Sequence, residues 1–279
     1  MTDVDPKARI AGIFDRAAPT YDQTGVEFFG PPGRELVRLA GIAAGQRVLD
    51  LGCGRGNVLF PAAEAVGPTG EVIGVDFAPG MLTATTRAAE DHPWVRVTAG
   101  DADYPDFPPD SFDAVTAGFM VFLLPDPPAA IARWARLLRP GGRLALSTFA
   151  EGGEAADAFY RDRAAALLPF QEPDPAMDRQ TADNSTATTA WVEALFAGAD
   201  LVDVTMTEMS VRSVYPSTDA YWDWILSVGM RRQLERVPPD REPQARAALG
   251  KVLDQHLRQP DGSYAMESPM RLTVARRPG

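Results

Sequence analysis

Between residues 46 and 149 the chain repeats one alternation, a short apolar run followed by a stretch of helical periodicity, and this constrains the fold more than any other feature of the sequence. The apolar runs are Arg47–Leu51, Glu71–Asp76, Trp94–Ala99, Asp113–Ala117 and Arg143–Phe149, each short enough for a strand. Between them Asn57–Val66 and Met81–Glu90 read as helices. A third helix is punctuated by Asp126 as its cap and Pro127 in its first turn. Ile131, Trp134, Ala135 and Leu138 fall at i, i+3, i+4 and i+7 and predict one apolar face, closed by Pro140-Gly141-Gly142. Strands joined by helical crossovers imply an α/β fold with a parallel sheet and helices on both faces.

The alternation stops at residue 150. Glu154–Leu168 predicts an Ala-rich helix, 169–186 a Pro- and Asp-rich loop, Ala187–Ala197 a helix and Leu201–Val214 a long strand. Residues 217–258 predict two helices around Pro238-Pro239, and Gly262–Arg276 a final strand. The expected organisation is an N-terminal helical cap over 1–45 and a ligand-binding core over 46–149. Insertion elements with a sixth strand over 150–214, a helical cap over 215–262 and the last strand over 263–279 follow.

A net charge of −11 argues against nucleic acid as substrate and against docking on anionic lipid, since both need a basic surface. The N-terminus lacks a basic and apolar leader, and no uncharged apolar run reaches the roughly 20 residues that span a bilayer. A single cysteine, Cys53, forbids an internal disulfide and suits a reducing cytoplasm. With two histidines and one cysteine, none at ligand spacing, no metal site is expected.

The first strand runs into Asp50-Leu51-Gly52-Cys53-Gly54-Arg55-Gly56 and then a helix, the layout of a nucleotide-cofactor loop. A dinucleotide fingerprint would carry a third glycine at the sixth place, counted from Gly52; here that place is Asn57, and Gly56 comes one residue early. The spacing counts against a nicotinamide oxidoreductase and marks Asp50, Gly52, Gly54 and Gly56 as candidate cofactor residues.

VLDLGCGRG resembles the first motif of class I S-adenosylmethionine (SAM)-dependent methyltransferases, and FDRAAPTYD resembles their ubiquinone/menaquinone-biosynthesis-like branch. That branch includes many small-molecule, natural-product enzymes. The resemblance implies a Rossmann-like sheet of seven strands, the last antiparallel, with helical cap insertions. It implies SAM as cofactor, with Asp76 on the ribose, Phe77 and Met81 near the adenine, the pair Asp101-Ala102 reading the adenine amino group, and Tyr21 closing over the cofactor; Tyr21 is also a candidate to touch the acceptor. Phe119 and Met120 follow the fourth strand, where the family meets its acceptor, and Phe119 is placed against the cofactor as well.

The segment around Tyr221-Trp222-Asp223-Trp224-Ile225 is apolar nearly all round, which predicts burial on two sides. Trp222 and Trp224 point to different faces. One is expected to roof an apolar substrate pocket and the other to pack against the core or a neighbouring copy in a homo-oligomer. His92 is expected to be structural, and His256 to be a solvated helix residue with a catalytic base as the other reading. The expected reaction is methyl transfer to a small apolar or aromatic acceptor of secondary metabolism, with carbon or nitrogen favoured over oxygen because bases are scarce. The competing readings are a SAM-binding or pericyclase use of the same fold without methyl transfer, and the nicotinamide oxidoreductase.

Overall fold

The computed structural model describes residues 5–174 and 185–279. Five parallel strands form the first part of the sheet: β1 (Arg47–Leu51), β2 (Glu71–Asp76), β3 (Val95–Ala99), β4 (Phe112–Gly118) and β5 (Leu138–Phe149). The long strands β6 (Val202–Tyr215) and β7 (Tyr264–Arg276) complete a seven-stranded sheet in the order β3-β2-β1-β4-β5-β7-β6. The last strand, β7, runs antiparallel to both neighbours. Order reverses between β1 and β4, so the C-terminal ends of these two strands open the crevice where such sheets hold ligands.

Helices α1 (Pro6–Ala17), α2 (Gly30–Ala40), α3 (Leu59–Val66), α4 (Pro79–Ala88) and α5 (Pro127–Leu137) surround this sheet. Both faces are covered, by Leu36, Val48, Leu59 and Val72 in one layer and by Leu49, Ile73, Val115 and Trp134 in the other. Asp126 caps α5 as its side chain accepts from the Ala129 N–H.

The sequence reading erred at the end of this helix. Leu138 satisfies the helical spacing, yet it is extended, pairs with Phe112 and begins β5, so Pro140-Gly141-Gly142 lies inside an irregular strand start and not at a helix stop. The register with β4 shifts between Phe112 and Ala114, which absorbs the glycines.

Beyond β5 come α6 (Gly153–Leu167), α7 (Thr189–Phe196), α8 (Thr218–Ser227), the single turn α9 (Arg231–Leu234) and α10 (Glu242–His256). The loop expected over 169–186 falls partly outside the described residues. The cap holds three helices between the last two strands where two were expected, because the chain already breaks after Ser227, ahead of Pro238-Pro239. Helices α6, α8 and α10 pack on the ends of β6 and β7 in an apolar cluster with Tyr215, Met266 and Met270. Among the described residues, no helix is long and apolar enough to cross a membrane.

Candidate functional site

The loop after β1 turns three times through left-handed backbone, at Gly52, Gly54 and Gly56. Two of these glycines serve different ends. A side chain on Gly54 would meet no atom nearer than 4.0 Å, so its backbone faces open space. A side chain on Gly56 would stand 2.4 Å from the Phe60 ring, so this glycine lets α3 begin close to the loop.

Two cavities flank the loop and meet at Tyr21, Gly52, Gly54, Gly118 and Phe119. The first, of about 400 Å³, is also lined by Asp50, Arg55, Asn57 and Ser147. The second, of about 700 Å³, is lined by Lys7, Asp76, Phe77, Met81, Asp101, Ala102 and Met120. The fold therefore gathers Tyr21, Asp50, Gly52, Gly54, Asp76, Phe77, Met81, Asp101, Ala102, Phe119 and Met120 around one crevice. Gly56 lines neither cavity.

Carboxylates dominate this crevice. Asp50 is 1% exposed; the Thr116 hydroxyl donates to its Oδ1 at 2.7 Å, while Oδ2 has no partner. Burial pushes its carboxyl up to about 7. Asp76, at the end of β2, accepts the N–H groups of Gly54 and Ala78, each at 2.9 Å. Burial raises its carboxyl despite those bonds. Asp101 accepts the Asp103 N–H at 2.9 Å and the Lys7 ammonium at 2.6 Å.

Tyr21 is held by its neighbours. Its ring stacks on Phe29 at 5.5 Å and 6°. The adjoining Asp22 adopts left-handed backbone and accepts the Phe28 and Phe29 N–H groups at 3.0 and 3.2 Å, which pins the loop. Burial raises the Tyr21 hydroxyl, so it stays protonated at neutral pH. Phe119 is also left-handed, at φ 51°, and its N–H donates to the Ser147 carbonyl at 3.1 Å. Its ring lies 5.1 Å from both Phe29 and Phe149.

Trp222 and Trp224 are not brought to this crevice. Both are buried in the cap, at 2% and 1% exposure. The Arg246 guanidinium covers Trp222 at 4.5 Å, and Trp224 packs against Phe28 and Tyr215. Both sides of the helix are thus filled from within the chain, and the expected pocket wall is core. His256 is half-buried, its Nε2 lying 2.8 Å from Asp162 on α6, where a solvated residue was expected. His92 packs between Phe60 and Trp94 at the far edge of the sheet. Cys53 is buried and its thiol is raised well above the ordinary value by burial. The sequence reading missed Lys7, Arg55, Asn57 and Ser147. Arg55 and Asn57 were available as neighbours of the glycines, whereas Lys7 reaches its place only through the tertiary fold.

A family profile described as a methyltransferase domain matches residues 48–142. The nocamycin O-methyltransferase of Saccharothrix syringae is 39% identical over 269 residues, covering 88% of this chain and 90% of that relative. The chain belongs to the class I SAM-dependent methyltransferases. The aklanonic acid methyltransferase of a Streptomyces species is 45% identical over 150 residues, covering 53% of this chain and 68% of the relative. The crystal structure of the YcgJ protein from Bacillus subtilis superposes with a TM-score of 0.59 at 22% identity, over 89% of this chain and 99% of that one, and supports the fold.

The crevice of this methyltransferase suits SAM. The cofactor carries an ammonium and a sulfonium and no phosphate. Asp50 and Asp76 offer two buried carboxylates that form no ion pair with a described residue. A pyrophosphate would meet the same carboxylates as like charges, so the charge pattern as well as the glycine spacing disfavours a dinucleotide.

Proposed function

We propose that this methyltransferase transfers the methyl group of SAM to an oxygen of a small aromatic natural product that arrives already ionised. Asp50 would take the cofactor ammonium through its unpartnered Oδ2, Asp76 the ribose hydroxyls, and Asp101 the adenine amino group, with Phe77 and Met81 beside the ring. Tyr21 and Phe119, which wall both cavities, would exclude water where the methyl group passes and align the acceptor.

One observation carries the choice of acceptor: the junction of the two cavities is walled by Tyr21, Phe119 and glycine backbone, and neither cavity is lined by a histidine. A neutral hydroxyl needs a base to become a good nucleophile. A carboxylate, or an acidic phenol or enol, has already lost its proton. With Asp50, Asp76 and Asp101 assigned to the cofactor, no other carboxylate and no histidine lines either cavity, which favours carbon or nitrogen among neutral acceptors, and an oxyanion meets the same condition. Similarity to a relative named an O-methyltransferase over nine-tenths of its length weighs toward oxygen.

The test is incubation with methyl-labelled SAM and matched panels of aromatic acids, phenols, indoles and amines, with mass spectrometry of the products. Label on the oxygen of acids or acidic phenols supports the proposal. Label confined to carbon or nitrogen overturns the oxygen assignment, and the absence of methyl transfer to any panel member, with SAM bound, favours a use of the fold without methyl transfer.

A further inference from the structure

Two basic residues line the crevice, Arg55 in the first cavity and Lys7 in the second. Lys7 is answered by carboxylates, its ammonium lying 2.6 Å from Asp101 and 3.2 Å from Asp103. Arg55 is half-buried and forms no ion pair with a described residue. Its guanidinium donates once, from Nη1 to the Ala18 carbonyl at 2.5 Å.

A guanidinium has five N–H donors. The edge shared by Nε and Nη2 is therefore left without an acceptor among the described residues. That edge matches a carboxylate in two-point contact. The bond to Ala18 holds the side chain in place, so less rotamer freedom is lost when an anion arrives.

The linings divide the cofactor between the two cavities. Asp76, Asp101 and Ala102, the groups for ribose and adenine, line only the second, whereas Asp50, the group for the ammonium, lines only the first. The methionyl end of SAM therefore belongs in the first cavity, where its carboxylate arrives on the same carbon as its ammonium. A carboxylate alone beside Asp50 would meet a like charge. Asp50 and Arg55 together offer one anion and one cation, the complement of a zwitterion.

We propose that Arg55 holds the carboxylate of the cofactor's methionyl group while Asp50 holds its ammonium, so that the glycine loop reads the amino-acid zwitterion by both of its charges. The inference rests on the placing of the ammonium at Asp50 and adds the group that answers the other half. Ala18 precedes Tyr21 by three residues, so the same guanidinium also ties the segment that carries Tyr21 to the loop.

The test is binding, without acceptor or turnover. The full chain is titrated calorimetrically with SAM and with decarboxylated SAM, which keeps the ammonium, the sulfonium and the adenosine. The expected preference for SAM is about tenfold or more, the scale of a hydrogen-bonded charge. The decarboxylated compound carries more positive charge, which an acidic crevice would otherwise favour, so a preference for SAM points to a cation. In Arg55→Met the preference disappears or inverts while the decarboxylated compound binds as before. In Arg55→Lys, which keeps the charge without the planar fork, it is reduced. Equal binding of the two compounds by the unaltered protein overturns the proposal, and this arm does not depend on any variant folding. A preference that survives in Arg55→Met also overturns it, the carboxylate then being read by neutral groups such as Asn57 or Ser147, which line the same cavity. Asp50→Asn should weaken both compounds alike and leave the preference intact, so the placing of the ammonium and that of the carboxylate are judged apart.

Discussion

The protonation of Asp50 provides a test of how the crevice recognises its cofactor. Its carboxyl is raised from the ordinary 3.8 to about 7 because burial disfavours the charged form. Its free oxygen would meet the cofactor ammonium, and an opposite charge at contact returns a carboxyl toward its ordinary range. Binding below pH 7 should then expel a proton. By linkage the affinity for SAM should fall about tenfold for each pH unit below 7, or roughly 1.4 kcal/mol per unit. Between pH 8 and pH 5 the loss should be about a hundredfold. Titration calorimetry in two buffers of unlike protonation enthalpy reads the released proton directly, about half a proton at pH 7 and nearly one at pH 5.5. Stability without cofactor should show the opposite trend. A folded-state value above the unfolded one means that stability from this group is complete below pH 3.8 and is lost as pH rises through about 7. The melting temperature of the cofactor-free protein should therefore gain from acidification over pH 8 to 5.5, and Asp50→Asn should reduce that gain, the remainder coming from Asp22, which burial raises to about 6, and from Asp76, which burial also raises. An affinity that is constant from pH 5 to 8, with no proton released, would refute the assignment of Asp50 to the ammonium.

Asp76→Ala should weaken SAM binding by about 1.5–3 kcal/mol, the range for hydrogen bonds to a charged group, and unchanged affinity by calorimetry removes Asp76 from the site. Trp224→Ala should cost about 3–5 kcal/mol of stability in denaturant titration while SAM affinity stays nearly intact, because the ring is core; a stability-neutral variant with altered acceptor kinetics restores it to a pocket wall. His256→Ala should keep most activity, since the ring pairs with Asp162 and lines neither cavity. A loss of about 100-fold or more, the scale of general-base catalysis, contradicts that reading.

Sequence reading succeeded where local chemistry and local geometry agree. The run from Val48 to Gly56 announces a strand, a tight turn and a helix start within a few residues, and the following strands repeat the same grammar. It failed where a residue satisfies two patterns. Leu138 fits a helical face, but extending the helix would forfeit the pairing with Phe112, and strand geometry prevails. Aromatic residues posed the same ambiguity in the cap. Tyr221, Trp222 and Trp224 read equally as pocket or core, and only the neighbours Arg246, Phe28 and Tyr215, remote in sequence, show that they are core. Polar contacts between distant residues were illegible for the same reason. Lys7 finds Asp101, and His256 finds Asp162, each across 94 residues of chain.

The segment matched by the family profile, 48–142, is smaller than the unit that closes the crevice. Lys7, Ile10, Phe14 and Tyr21 come from before it and Ser147 from after it. Helix α1 is fastened to that segment by the Gly80 N–H donating to Asp15 at 2.6 Å, and to the cap by Arg16 and Glu235 at 2.8 Å. Chimeras that exchange only the matched segment between relatives would therefore splice a foreign floor beneath a native roof. The seams for grafting a new acceptor preference lie outside both ends of that segment, with α1 travelling alongside the loop it covers.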